Sequence, residues 1–160
     1  MKVLTMMLQD LLSALAIRLE SGPLSLDANR LCCLKVNELD MTLELLEQQN
    51  TLFVYLCVGT LSTHTSKTLL SDILAANLFH YGCSDGATFG LDEKTNEVLL
   101  FQRFSPSSID QDAFVSACVQ MIEVAKLWQA KLLRGHSAPL TSSSRLTNNG
   151  LIFNRAGKIK

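Results

Sequence analysis

Residues Leu52 to Val58 read LFVYLCV, a run with no charged or amide side chain. In a β-strand successive side chains point to opposite faces, so this strand is apolar on both. Such a strand belongs in the middle of a sheet, with a layer over each face. A helix is expected on one face and a second cover on the other.

The surrounding sequence supplies partners for that strand. "NRLCCLKVNELDMTLELLEQQNTLFVYLCVGT" reads as three successive strands. Asn37-Glu38-Leu39-Asp40 and Gln48-Gln49-Asn50 give short turns, which predicts an antiparallel meander. Met41, Leu43 and Leu45 alternate with Thr42 and Glu44, the pattern of a half-buried strand. "ATFGLDEKTNEVLLFQRF" adds two strands around the polar turn Asp92 to Asn96.

Three helices flank these strands. Leu4, Leu8, Leu11, Leu12, Leu15 and Leu19 stand at helical spacing, and Gly22-Pro23 stops the run. Val3, Met6, Met7 and Ile17 make that stripe wider than one sheet face requires. The second helix is predicted over roughly residues 66–79, capped by Thr65 or Ser66. Its Leu69, Leu70, Ile73, Leu74, Leu78 and Phe79 wrap most of the circumference, which points to a face buried against a second copy. After Pro106, Ser108-x-x-Gln111 reads as a capping box for a last helix. There Phe114, Ala117, Cys118, Met121, Ala125, Trp128 and Leu132 repeat at helical spacing. The order helix, three strands, helix, two strands, helix defines an α+β domain over residues 1–133.

Charge divides the chain in two. Residues 1–133 carry nine Lys/Arg against fifteen Asp/Glu, a net of −6, whereas residues 134–160 carry five Lys/Arg and no acid. The basic segment is rich in Ser, Thr, Asn and Gly and is expected to be mobile. Nucleic-acid binding is not expected, because the body is acidic and Phe153 is the segment's only aromatic. No window approaches the roughly 20 apolar residues of a membrane span. Gln9 and Asp10 interrupt the apolar N-terminal run, so it reads as an amphipathic helix rather than a signal peptide. Five cysteines without C-x-x-C spacing, three of them in apolar strand-like runs, fit a reducing cytoplasm. They argue against a disulfide framework or a zinc site. His80 and Cys83 stand three apart but lack a second ligand pair.

One motif invites a catalytic reading. Gly82-Cys83-Ser84-Asp85-Gly86 spells G-x-S-x-G, and Asp110, Asp112 and His136 follow it. A nucleophile elbow, however, joins a strand to a helix. Here Ser84 follows a helix and precedes a strand, and His136 falls where the basic segment begins. Gly82 is expected to adopt the left-handed conformation after the helix, with Ser84 and Asp85 as turn residues. A small serine hydrolase using Ser84 remains the alternative from another class, and a self-associating adaptor or regulator of the same fold is a third. No P-loop, dinucleotide fingerprint, zinc motif or calcium loop is present, and no cofactor or metal is expected.

Two stretches carry a family resemblance. "LSLDANRLCCLKVNE" and "LLSDILAANLFHYGCSDGATFGLDEKTNEVLLFQRF" resemble the class I type III secretion chaperones, the Tir-chaperone-like family. Element order, size and acidity agree with it across residues 1–133. The resemblance implies a two-fold homodimer in the bacterial cytoplasm, without enzymatic activity, that holds a secreted effector's N-terminal segment in extended form. It implies a dimer interface through Leu70, Ile73, Leu74, Asn77 and Leu78. It also implies an effector groove, assigned here to Leu8, Leu11, Leu12 and Leu15 with Leu99, Phe101 and Phe104, some of which belong to the core. A short effector strand added to a sheet edge is a further expectation. The basic segment 134–160 departs from the family pattern, and the export machinery or an acidic cargo stretch is the partner expected for it; a secretion-apparatus ATPase or export component is a further partner the resemblance implies.

Overall fold

The computed structural model describes residues 2–62, 67–80 and 82–136, with side chains from residue 5 to residue 134. The predicted capping residues Thr65 and Ser66 and the basic segment beyond residue 136 lie outside the described residues. The elements run α1 (Lys2–Arg18), β1 (Leu31–Val36), β2 (Leu39–Leu46), β3 (Thr51–Thr60), α2 (Lys67–Asn77), β4 (Thr88–Asp92), β5 (Glu97–Phe104) and α3 (Gln111–His136). The predicted order holds.

All five strands form one antiparallel sheet in the order β1-β2-β3-β5-β4, so β3 is central as its composition demanded. The turns follow local chemistry. Asn37, Asn50 and Asn96 take positive φ, a conformation that Asn tolerates better than most residues. A bulge between Cys57 and Gly59 shifts the β3–β5 register, and Gly59 sits there at φ 150°.

One face of the sheet is sealed. Leu52, Val54, Leu56 and Val58 of β3 are fully buried, with Met41 and Leu43 of β2 and Leu100 of β5 beside them. Helices α1 and α3 pack over this face through Leu11, Leu12 and Leu15 and through Phe114, Cys118, Met121 and Ala125. Phe104 and Phe114 meet edge to face at 5.1 Å. The cap of α3 differs from the expected box. Asp110 Oδ1 accepts the Ala113 N–H at 2.8 Å, while Ser108 belongs to the preceding turn and bonds back to Ser105. Asp110 wins because it stands immediately before the first helical residue.

The glycine assignment in Gly82-Cys83-Ser84-Asp85-Gly86 also changes. Phe79 and His80, with φ of 52° and 58°, make the left-handed exit from α2, and Gly82 does not take positive φ. Gly82 is required for closeness instead. A Cβ there would stand 2.5 Å from the Ala76 Cβ. The Gly82 N–H bonds to the Ala76 carbonyl at 3.1 Å, and the Gly82 carbonyl accepts the Trp128 indole N–H at 3.1 Å. Trp128 stacks tilted on Phe89 with centroids 4.9 Å apart, and Lys131 lies over its ring while pairing with Asp72 at 2.8 Å. This network fastens α2 and the start of β4 to α3.

Candidate functional site

Two of the apolar surfaces left open on the described residues lie on the sheet and along α2, apart from exposed side chains such as Leu127 and Leu133 of α3, and strand parity decides which residues the first contains. On β5, residues 98, 100, 102 and 104 face the helices, whereas 99, 101 and 103 face away. Phe104 is therefore core, and the groove expected from Leu99, Phe101 and Phe104 reduces to Leu99 and Phe101, both half-buried on the outer face. The register extends them. Tyr55 stands opposite Phe101, Cys57 opposite Leu99, and Phe53 opposite both Glu44 and Arg103. Phe53, Tyr55 and Cys57 were missed in the sequence as surface residues. The available signal was parity, because they alternate with the buried Leu52, Val54 and Leu56. Gly90 of β4 completes the surface, since a Cβ there would lie 3.1 Å from the Phe101 ring.

Polar groups frame this outer face. The Tyr55 hydroxyl donates to Glu44 Oε2 at 3.3 Å, and burial together with that carboxylate pushes the Tyr55 pKa up. Burial likewise raises the Cys57 thiol. Lys35 and Asp40 pair across the β1–β2 hairpin at 3.7 Å.

The second surface runs along α2 and its exit turn. Leu74 and Phe79 are 71% and 74% exposed, and Leu70, Leu78 and Leu91 of β4 are also exposed. Ile73 is half-buried against the core. Of the expected interface residues, Leu70, Leu74 and Leu78 are thus available, and Phe79 joins them. Asn77 is committed within its own chain. Its amide donates to the Phe89 carbonyl at 3.1 Å and accepts the Phe89 N–H at 2.8 Å, as a neighbouring strand would.

The groove expected on α1 is corrected in the same way. Leu8, Leu11, Leu12 and Leu15 are at most 5% exposed and form core, because the leucine stripe faces α3 and the sheet. Among the described side chains of α1, the exposed large apolar groups are Met6, Met7 and Ile17. Ile17 lines a cleft of about 740 Å³ with Asp10, Arg18 and residues of α3, including Asp112.

Among the described residues no catalytic constellation forms around Ser84, and the His136 side chain lies outside them. Its side chain is buried, its hydroxyl lacks a partner among the described residues, and its carbonyl accepts the Ala87 N–H. Nearby His80 engages the Ala87 carbonyl through Nδ1 at 2.7 Å, and Asp110 caps α3. The described residues hold no group of three metal-ligating side chains, and no described helix is long and apolar enough to cross a membrane.

The model of the Tir chaperone protein (CesT) family matches residues 10–129. The chain belongs to that family. The class I secretion-chaperone resemblance read from its sequence holds, and with it the chaperone function. Solved structures with the same fold include the ExsC–ExsE complex, at TM-score 0.67 and 24% identity, covering 80% of this chain and 95% of that one. The HopA1–SchA chaperone–effector complex follows at TM-score 0.62 and 19% identity, covering 79% and 95%. The Yersinia pestis type III secretion chaperone SycH, in complex with a fragment of YscM2, gives 0.57 and 20%, covering 76% and 96%. None of the curated protein sequences compared with the chain matches it.

Proposed function

We propose that this chaperone acts as a homodimer in the bacterial cytoplasm, without chemistry of its own, and holds a secreted effector's N-terminal segment in extended form. The observation that carries the reading is the pair of open apolar surfaces, one along α2 and one on the outer sheet face. The α2 surface, with Leu70, Ile73, Leu74, Leu78 and Phe79, suits a second copy, since a helix face this apolar is stabilised by burial. The outer sheet face, with Phe53, Tyr55, Leu99 and Phe101, suits cargo. Half-exposed aromatic rows between polar margins accept alternate side chains of an extended segment. Exposed Met6 and Met7 on α1 add an adaptable margin. An acidic body favours basic cargo segments through long-range attraction.

Light scattering of the purified chain, alone and co-expressed with an effector's N-terminal segment, tests this. The expected results are a dimer alone and a soluble complex of two chaperone chains with one segment. A Leu74→Asp variant is expected to give a folded monomer. A monomeric wild-type chain at micromolar concentration, or an effector segment that stays insoluble, would refute the reading.

A further inference from the structure

Helices α1 and α3 leave a furrow on their solvent side. Asp10 shares one cleft with residues 109–112, and residues 18–21 share another with Val119, Ile122 and Lys126, so the two helices run in the same direction. Between these clefts lies the one of about 740 Å³ that Ile17 lines. It has Asp10, Gln111 and Asp112 in common with the first, and Arg18 and Val119 in common with the second. The three form one continuous furrow. We infer that this furrow is a docking site for a short basic amphipathic helix of a partner protein, separate from the extended cargo segment proposed for the sheet.

Shape favours a helix. Asp10, Ala14 and Ile17 stand at i, i+4 and i+7 on α1, a face that the buried leucine stripe does not use. Opposite them, Val115 and Val119 stand four apart on α3. Ala14, Val115 and Val119 are half-buried and make the floor, while Ile17 is 80% exposed at the rim. Ser13, Ala14 and Ser116 are small, which lets a third backbone approach to the roughly 8–10 Å of packed helices. Both walls are helical, so over most of the furrow their main-chain groups are already bonded within α1 and α3. A strand laid there would leave its own N–H and C=O groups unpaired, whereas a helix arrives with them satisfied. From Asp10 to Arg18 the axis rises about 12 Å, room for two turns or slightly more.

Charge selects the kind of helix. Asp10 and Asp112 border the same end of the furrow, both are exposed, and among the described residues neither forms an ion pair. Asp110 beside them is committed to capping α3, whose N-terminus offsets part of the Asp112 charge. Arg18 stands at the other end, also without an ion pair among the described residues. The furrow is thus acidic at one end and cationic at the other, on a body of net charge −6 that attracts basic segments over longer distances. The complementary helix carries Lys or Arg where it passes Asp10 and Asp112, aliphatic residues over the floor, and a polar or acidic residue at Arg18. The furrow and the outer sheet face lie on opposite sides of the sheet, so filling one does not block the other. Helix docking here does not depend on the cargo reading.

The probe is a synthetic peptide of about three helical turns, acetylated and amidated, with Leu and Ala on one helical face and Lys on the other. It is titrated into the isotope-labelled full chain without cargo and followed by amide chemical shifts and calorimetry. The expected result is binding, with shifts centred on Ala14, Ile17, Ser116 and Val119. Ala14→Trp, which fills the floor, should weaken affinity by about tenfold or more. Ser116→Trp, at an exposed site, repeats that block should Ala14→Trp not fold. Asp10→Asn/Asp112→Asn should weaken binding at low salt, with the difference shrinking towards about 0.5 M salt. Circular dichroism and light scattering confirm that each variant is folded and assembled as the wild type is. Absence of binding, or unchanged affinity in both folded Trp variants, would overturn the inference. So would shifts centred on Tyr55 and Leu99, or equal affinity for a peptide of the same composition with Leu and Lys scrambled out of helical phase. A dimer that both Trp variants turn into a folded monomer would assign the furrow to a second copy and overturn it too. None of these readouts involves an effector, so failure of cargo binding leaves this result standing and failure here leaves the cargo reading standing.

Discussion

The two faces of strand β3 are both apolar and meet different fates. Leu52, Val54, Leu56 and Val58 point toward α1 and α3 and are sealed; Phe53, Tyr55 and Cys57 point the other way and stay half-exposed. Hydrophobicity alone does not separate them. What separates them is which face the leucine stripe of α1 and the apolar stripe of α3 can reach. The inner face holds the fold together, and the outer face stays open for the cargo proposed above.

Substitutions sharpen that contrast. The largest effect is expected on the sealed side. Phe114→Ala or Leu56→Ala should lower unfolding free energy by about 3–5 kcal/mol in denaturant titrations, through lost burial and a residual cavity. A comparable loss from Phe101→Ala would break the distinction between the faces.

Cys118 makes a pH test of the sealed side. Its thiol, wholly buried against the sheet, is pushed up to about 12 from 9.0 because burial disfavours the thiolate. A raised folded pKa means the contribution is fully present below pH 9 and is lost as pH rises towards 12. Stability of the wild type should therefore fall by up to about 1.4 kcal/mol per pH unit in that window from this group. A Cys118→Ala variant should show a shallower decline across the same range.

Smaller effects belong to the joints between elements. Gly82→Ala forces a methyl group into the Ala76 Cβ and should cost about 1–3 kcal/mol. Removing the α3 cap with Asp110→Ala should cost about 1 kcal/mol. The smallest change is expected on the open side. Phe53→Ala and Phe101→Ala should each alter stability by less than about 1 kcal/mol in the same titration, because their rings already meet solvent.

Much of this was legible before the structure. The long periodic run from Phe114 to Leu132 announced α3, and alternation in β2 and the apolar β3 announced a sheet with β3 at its centre. Side-chain assignment was weaker. Phe104 looked like a partner of Phe101 until strand parity placed it on the opposite face. Leu8 to Leu15 looked like groove because spacing shows that a stripe exists, not what covers it. Gly82 carried a local signal, a glycine after a helix, whereas its actual role depends on Ala76 and Trp128, which only tertiary packing brings near. Asn77 stands in a helix rich in leucine, yet it serves the backbone of β4. Such long-range contacts leave no local trace.

The outer face of β3 and β5 is the cargo surface proposed above, while the inner face holds the fold together. Calorimetric titration of an effector's N-terminal segment into wild type and Phe101→Asp tests it most directly, with circular dichroism and light scattering confirming that both are equally folded and assembled. Affinity is expected to be weaker by about 100-fold or more in the variant. Equal affinity in an intact variant would contradict it.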